Sequence, residues 1–116
     1  MRELFILIIL GEQDRDRRYW LNQFGKENPS LDGETSVEGI SKLLKKMLGE
    51  EDYAELYPDD SESVASHLTS LYEKRRLTIN GGTKITSIGR YYLEKDQLIQ
   101  FISLAIKPLQ RTTVKK

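Results

Sequence analysis

The chain has no cysteine and only one histidine, His67, among its 116 residues. The absence of cysteine excludes disulfides and thiolate zinc sites, and a single histidine excludes a multi-histidine metal site within one chain. The sequence also lacks a Ser/His/Asp order, a phosphate-binding glycine loop and a convincing pair of carboxylates. We therefore expect a protein that is not an enzyme and that holds no metal or other cofactor.

Long hydrophobic runs are also absent. The apolar run Leu4–Leu10 has only seven residues, which is too short to cross a bilayer. Arg2 and Glu3 make a poor start for a signal peptide. These features predict no membrane partner and a cytoplasmic location.

The chain carries no net charge, because its 18 basic side chains balance 18 acidic ones. The charges are unevenly distributed: residues 1–60 hold 8 Lys and Arg against 14 Asp and Glu, whereas residues 61–116 hold 10 against 4. The two halves thus carry net charges of −6 and +6. A basic half can indicate a polyanion partner. Alternatively, the halves attract each other within a protomer or across a dimer, and the acidic N-terminal half can also bind a protein partner.

The remaining composition, 38% hydrophobic and 31% charged, is typical of one folded domain spanning residues 1–116. Its apolar start, Glu3–Leu10, fits a buried strand or a buried helix equally well. A separate helical segment is predicted over Asp14–Phe24, capped by Asp14 and stopped by Gly25. A loop containing Asn28-Pro29-Ser30 follows.

Two further helices have clear signals. The first is capped by Thr35, because Thr35 and Glu38 have the spacing of a capping box, and it ends at Gly49. A short turn of helix can follow within Glu50–Tyr57. The second is predicted over Glu62–Lys74, after a cap at Asp59, Asp60 or Ser61. The apolar stripe of the first helix is Val37, Ile40, Leu43, Leu44, Met47 and Leu48, and that of the second is Val64, Leu68 and Leu71.

A hairpin and a last helix complete the chain. Two short strands, Arg76–Ile79 and Thr83–Thr86, flank Asn80-Gly81-Gly82, whose residues tolerate the positive φ that tight hairpin turns require. The last helix begins at Thr86 or Ser87 and is expected to end near residue 107, because Pro108 cannot continue it. Residues 108–116 form a basic tail.

The phrase Ile85-Thr86-Ser87-Ile88-Gly89-Arg90-Tyr91-Tyr92-Leu93 is similar to the L-T-x-x-G-R-x-x-L phrase that closes the wing in PadR-like and MarR-like transcriptional regulators. With the helix and hairpin before it, this segment resembles a winged-helix DNA-binding domain. The resemblance implies an α+β fold, mostly α: a winged helix-turn-helix core over residues 1–93, a short two-stranded wing and a long C-terminal helix. It also favours a helix for Glu3–Leu10 and a role for Gly89 in close packing of the last helix against the wing.

The resemblance places Glu62–Lys74 at the recognition helix and implies contacts with double-stranded DNA. Hydroxyl side chains on this helix can reach base edges or phosphates, and cations at its end and in the wing can contact phosphates. Glu62 and Glu73 oppose a polyanion, and an ordinary solvated surface is the alternative for this face. The residues expected at the DNA are Ser63, Ser66, His67, Thr69, Ser70, Lys74, Arg75, Arg76, Lys84 and Arg90.

The last helix, over residues 87–107, is apolar on more than one face and therefore needs cover on more than one side. In repressors of this style the C-terminal helix often forms the dimer, which would place two recognition helices about one turn of DNA apart. Alternatively, the run Leu4–Leu10 buries this helix within the same protomer. The residues expected at the dimer interface are Leu98, Ile99, Phe101, Ile102, Ala105 and Ile106.

These features predict a small homodimeric repressor, a transcriptional regulator that binds double-stranded DNA in a sequence-specific manner. The main alternative is a winged-helix protein–protein interaction module, an adaptor or inhibitor without DNA binding, of phage or mobile-element type. The acidic N-terminal half and the two glutamates favour that alternative. A third interpretation is a ligand-sensing repressor with an aromatic pocket near Tyr19, Trp20 and Tyr91.

Overall fold

The computed structural model describes residues 1–26, 35–79 and 83–114, with side chains described as far as Gln100. Within these residues the chain is mostly helical with one small antiparallel sheet, which confirms the expected α+β, mostly α class. The loop predicted around Asn28-Pro29-Ser30 and the turn Asn80-Gly81-Gly82 lie outside the described residues. The elements in chain order are α1 (Arg2–Phe24), α2 (Val37–Leu48), α3 (Glu50–Leu56), α4 (Ser61–Glu73), β1 (Leu77–Thr78), β2 (Lys84–Ile85) and α5 (Ser87–Val114).

Helix α1 is continuous over 23 residues, so the prediction of a separate helix starting at Asp14 is wrong. Asp14 does not cap a helix. Its carboxylate lies 3.2 Å from the Arg18 Nε, one turn further on, and also pairs with Arg90 of α5. Gly11 lies mid-helix, where Leu93 of α5 packs against it. Gly25 ends the helix in a left-handed conformation, as predicted.

The N-terminal half of α1 lies at the centre of the core. Its side chains from Leu4 to Leu10 are mostly buried, and α2, α4, β2 and α5 all pack against α1. A helix that is apolar on all sides is expected to be enclosed in this way, which confirms the helical alternative for Glu3–Leu10. The C-terminal half instead reaches solvent: Tyr19 and Phe24 are both more than half exposed, although the sequence predicts an apolar side there.

Helix α2 starts one residue later than predicted. Its N-cap is Ser36, whose hydroxyl accepts a hydrogen bond from the Gly39 N–H at 3.0 Å. The predicted capping box of Thr35 and Glu38 is therefore wrong. Both hydroxyls are able to cap a helix, so local sequence does not distinguish between them.

Gly49 ends α2 as predicted, and the short acidic helix α3 follows at once. Tyr53 of α3 and Tyr57 just after it are buried with their ring centroids 5.3 Å apart. The Tyr57 hydroxyl donates to the Arg2 carbonyl at 2.5 Å, and the Tyr53 hydroxyl donates to the Asp60 carboxylate at 2.5 Å. The first bond attaches the α3–α4 corner to the start of α1, and the second stabilises the corner itself. Asp60 is the N-cap residue of α4, one of the three predicted candidates, but its side chain does not cap the helix.

Helix α4 and the hairpin close the core. Strands β1 and β2 form the predicted hairpin, although each has only two residues. Leu77 pairs with Ile85 and is buried with it, and Thr78 pairs with Lys84. The buried face of α4 is the predicted one, Val64, Leu68 and Leu71.

The hairpin leads directly into α5. We call this connection the joint; it consists of the contacts that Thr86 and Gly89 make with the backbone of Arg75 and Arg76. The Thr86 hydroxyl accepts from the Gly89 N–H at 3.0 Å, which is the contact of an N-cap, and it donates to the Arg75 carbonyl at 2.6 Å. Gly89 lies so close to the Arg76 carbonyl that a Cβ added there would be 1.8 Å from its oxygen. This confirms the prediction that Gly89 permits close packing of the last helix, here against the backbone that leads into β1.

Helix α5 packs antiparallel to α1, so α1 covers one of its sides. The contacts along α5 are Arg90 with Asp14, Leu93 with Gly11, and Gln100 with Met1. Beyond them α5 continues to Val114, so the predicted end near residue 107 is wrong and residues 108–114 of the basic tail are helical. A proline inside a helix removes one hydrogen bond and costs about 3 kcal/mol, but Pro108 does not prevent its neighbours from being helical.

The joint gives a first prediction: Gly89→Ala destabilises the fold by at least about 2 kcal/mol, because the new Cβ collides with a backbone carbonyl. Gly11→Ala is the matched control. Its Cβ would meet only the Leu93 Cδ2 atom at 2.8 Å, and the end of a leucine side chain can shift. Urea unfolding measures both free energies. Equal decreases in the free energy of unfolding for Gly89→Ala and Gly11→Ala would contradict a steric requirement at Gly89.

The buried tyrosine pair gives a second prediction. Burial, reinforced by the neighbouring Tyr53, raises the pKa of the Tyr57 hydroxyl to about 12 from its usual value of 10. The folded protein therefore holds this proton more tightly than the unfolded chain, and this stabilisation is lost as pH rises from about 10 towards about 12. Tyr57→Phe has no such proton.

We expect Tyr57→Phe to be less stable than the wild type by about 1 kcal/mol at neutral pH, because the Arg2 carbonyl loses its donor. The gap between the free energies of unfolding of the two proteins should narrow near pH 11, because only the wild type loses stabilisation there through the Tyr57 hydroxyl. Urea unfolding at both pH values tests this. A gap that stays constant would show that Tyr57 does not titrate in this way.

Candidate nucleic-acid interface

The outward face of α4 is exposed along its length. Two predicted contacts, Ser66 and Thr69, lie on it together with Glu62 and Glu73. The Thr69 hydroxyl donates to the Ala65 carbonyl, one turn back, at 3.1 Å, which leaves its lone pairs free to accept. This face therefore presents neutral hydroxyls between two negative charges. It can contact base edges, but it does not itself attract phosphate.

Beside this face, α4 and the hairpin form a groove of about 440 Å³. Tyr72, Glu73 and Arg75 line its helix side, and Thr78 and Thr86 line its hairpin side. Tyr72 is 43% exposed and is absent from the predicted contacts. The sequence could have indicated Tyr72 as a contact, because it directly precedes Glu73 of the outward face and lies close to a run of cations. A tyrosine here offers both apolar area and a hydroxyl to a ligand.

Arg75 brings positive charge to this groove. Its side chain is exposed and makes no ion pair within the described part of the chain. Its backbone has a φ of 61°, in the left-handed region. The Arg75 N–H bonds to the Tyr72 carbonyl and the Arg76 N–H to the Leu71 carbonyl, both at 2.9 Å. This is a Schellman motif with arginine where glycine is usual, at a cost of about 1 kcal/mol.

Lys84 adds a second cation on the hairpin. It is partly exposed and pairs across the sheet with Thr78, which lines the groove. Side chains of directly paired residues share one face of a sheet, so Lys84 lies on the same face as Thr78. We call the combined area the α4–hairpin surface; it consists of Ser66, Thr69, Tyr72, Arg75, Thr78 and Lys84.

Three predicted contacts lie elsewhere, on the flank of α4 that faces the start of α1. They converge on Glu3: its carboxylate accepts from the Lys74 Nζ at 3.1 Å and from the Ser70 hydroxyl, and it lies 3.3 Å from the His67 Nδ1. Burial alone would raise the pKa of Glu3, but the hydrogen bonds from Lys74, His67 and Ser70 outweigh it and hold the pKa below the usual 4.5. His67, Ser70 and Lys74 thus already have an anionic partner inside the protein.

The two other predicted arginines are engaged within the fold. The Arg76 guanidinium carbon lies 3.9 Å from the centroid of the Tyr92 ring, a cation–π contact. Arg90 pairs with Asp14 of α1. This pair and that of Lys74 each join the basic C-terminal half to the acidic N-terminal half, which confirms attraction between the halves within a protomer.

Ser63 has a structural role at the start of α4, because its hydroxyl accepts from the Asp59 N–H at 3.0 Å. The structure therefore brings four of the predicted DNA contacts together on the α4–hairpin surface. They are Ser66, Thr69, Arg75 and Lys84.

The predicted dimer residues fall into two groups. Leu98 is 58% exposed and Ile99 is 50% exposed on α5. The other four belong to the stretch of α5 whose side chains lie outside the described residues; they are Phe101, Ile102, Ala105 and Ile106. Of the residues suggested for an aromatic pocket, Tyr19 and Tyr91 are at the surface, and Trp20 packs on Phe24 with ring centroids 4.5 Å apart.

Within the described residues, no group of three or more His, Cys, Asp or Glu side chains is placed to hold a metal ion. No helix in this part of the chain combines the length and apolar character needed to cross a bilayer. Comparisons with protein families, with curated proteins and with solved structures find no match to the chain.

Proposed function

We propose that this protein is a small dimeric transcriptional regulator that binds double-stranded DNA, in a sequence-specific manner, through the α4–hairpin surface of a winged-helix domain. The order of elements supports the fold assignment. Helices α2 and α3 precede α4, which leads directly into a two-stranded hairpin and a long closing helix. In winged helix-turn-helix domains a recognition helix stands at the position of α4.

The observation that carries the proposal is the left-handed conformation of Arg75. Glycine would be more stable at this position, so an arginine there sacrifices stability without an ion pair among the described residues to compensate. A guanidinium beside a groove is well suited to bind a phosphate oxygen, because its donors match the geometry of the anion. Binding to the DNA backbone accounts for both the exposure and the strain.

In this arrangement α4 lies in the major groove with Ser66 and Thr69 towards the base edges. The phosphate backbone runs along the groove between α4 and the hairpin, past Arg75, and Lys84 contacts a phosphate from the hairpin. Glu62 and Glu73 weaken non-specific binding through repulsion, and either can accept a hydrogen bond from cytosine N4. Affinity then comes from the cations, and sequence preference comes from the outward face of α4.

Dimerisation through α5 completes the proposal. Packing on α1 covers one side of α5, yet Leu98 and Ile99 remain about half exposed, about three turns from the joint with the hairpin. A second copy related by a two-fold axis would cover them and present two α4–hairpin surfaces to a palindromic site.

A second candidate function is a protein-interaction module without DNA binding. The observation that favours it is the acidic helix α3, whose carboxylates at Glu50, Glu51, Asp52 and Glu55 are all exposed. A basic protein surface would be its partner. Salt-dependent binding to DNA distinguishes the two candidates.

The third prediction concerns Arg75→Gly, which should raise the free energy of unfolding by about 1 kcal/mol because it relieves the left-handed backbone. The same change should weaken binding to a random-sequence DNA duplex at low salt by about three- to tenfold. The slope of log K against log salt should become shallower by about 0.9, the loss of one phosphate contact. Fluorescence anisotropy in a salt series measures both.

Lys42→Gln is the matched control, because it removes one exposed positive charge from α2, away from the α4–hairpin surface. It should change neither stability nor the slope appreciably. Absence of salt-sensitive binding by the wild type would exclude the DNA proposal. An Arg75→Gly variant that is both less stable and unchanged in binding would remove the observation on which the proposal rests.

The fourth prediction concerns the dimer. Ile99→Glu should raise the dimer dissociation constant at least about tenfold, because a charge would be buried at the interface without a partner. Gln97→Glu adds the same charge on α5 beside Ile8 of α1 and should leave the dimer intact. Sedimentation equilibrium measures both constants. A wild-type chain that stays monomeric at high micromolar concentration would rule out this dimer.

A further inference from the structure

We propose that Glu3 is a positioning residue that limits DNA affinity by holding Lys74 back from the phosphate backbone. This inference rests on the proposed function. Lys74 directly precedes Arg75 at the end of α4, so its backbone lies next to the proposed phosphate contact. Its Nζ is instead 3.1 Å from a Glu3 carboxylate oxygen, on the opposite flank of α4 from the hairpin groove.

Glu3 is more buried and has more contacts than Lys74, its partner in this ion pair. The Glu3 side chain is only 23% exposed, and it has the Ser70 hydroxyl and the His67 ring as further partners. The Lys74 side chain is 49% exposed, and Glu3 is its only ion-pair partner among the described residues. If the pair opens, the lysine is therefore the partner that moves.

The surroundings leave space for that movement. The ion pair lies in a groove of about 530 Å³ that is also lined by Arg2, Arg76 and Asp96. Lysine has a flexible four-carbon stem, so its ammonium can change direction while the backbone of α4 stays in place. Exposed ion pairs contribute little to stability because water and salt screen them, so a DNA phosphate can compete with Glu3 for Lys74.

The consequence is a built-in competition between one internal carboxylate and external phosphate. With Glu3 charged, the internal pair holds Lys74 and keeps it from contributing a phosphate contact. Without that charge, Lys74 is free to bind DNA and the protein gains one phosphate contact. Affinity and its salt dependence should therefore both increase when Glu3 is neutralised.

The test compares Glu3→Gln with wild type in a salt series on a random-sequence duplex. We expect Glu3→Gln to bind about two- to fivefold more tightly at low salt, and the salt slope to steepen by about 0.9. The matched control is Glu73→Gln, which removes the same charge from the outward face of α4. Both changes are repeated in a Lys74→Ala background. There the gain from Glu3→Gln should vanish, whereas any gain from Glu73→Gln should persist.

Thermal unfolding by circular dichroism checks that each variant is folded, and Glu3→Ala, which removes all three contacts of the carboxylate, must show the same dependence on Lys74. If wild type binds in a salt-sensitive manner but the gain from Glu3→Gln is absent, or survives in the Lys74→Ala background, this inference is wrong and the proposed function stands. If neither wild type nor Glu3→Gln binds the duplex at low salt, both are wrong.

Discussion

The close approach of Gly89 to the Arg76 carbonyl is the contact on which the rest of the structure depends. It allows α5 to start against the first residues after α4, with only a short hairpin between them. Thr86 reinforces the approach, since its hydroxyl caps α5 and binds the Arg75 carbonyl at the same time. Any side chain at Gly89 would separate these elements and move α5 away from α1. The left-handed turn at Arg75 is part of the same joint, because it redirects the chain from the helix into β1.

Local signals were sufficient to predict several elements. The apolar stripe of α4 and the glycine of the closing phrase each specify a conformation within a few residues, and the structure agrees. The pairing of β1 with β2 agrees with the predicted hairpin. Local signals gave wrong predictions where two residues, or two roles of one residue, fitted the nearby sequence equally well. Thr35 and Ser36 can both cap a helix, and Asp14 has the chemistry of a cap but has ion-pair partners one turn away and on α5.

The candidate site was predictable only in part, for a physical reason. Helical periodicity gives the angle of a side chain around the helix axis, but it does not say which neighbour covers that flank. His67 and Lys74 lie on a flank that the start of α1 covers, and Glu3 is more than sixty positions away in sequence. The backbone strain at Arg75 was equally hidden, because an arginine in a sequence gives no indication of a positive φ. Two such long-range pairs, Lys74 with Glu3 and Arg90 with Asp14, join the basic half to the acidic half.

The antiparallel packing of α1 and α5 has a mechanical consequence. The half-exposed Leu98 and Ile99 belong to the same uninterrupted helix that begins directly after Thr86, and contacts with α1 lie along it. Helix α5 is continuous from Ser87 through Leu98 and Ile99. A tilt imposed on α5 far from the hairpin would therefore also move its first turn beside Thr86. Since the joint is bonded to the last turn of α4, the same tilt would rotate the outward face of α4. The tilt of α5 and the direction of that face are therefore a single degree of freedom in this fold.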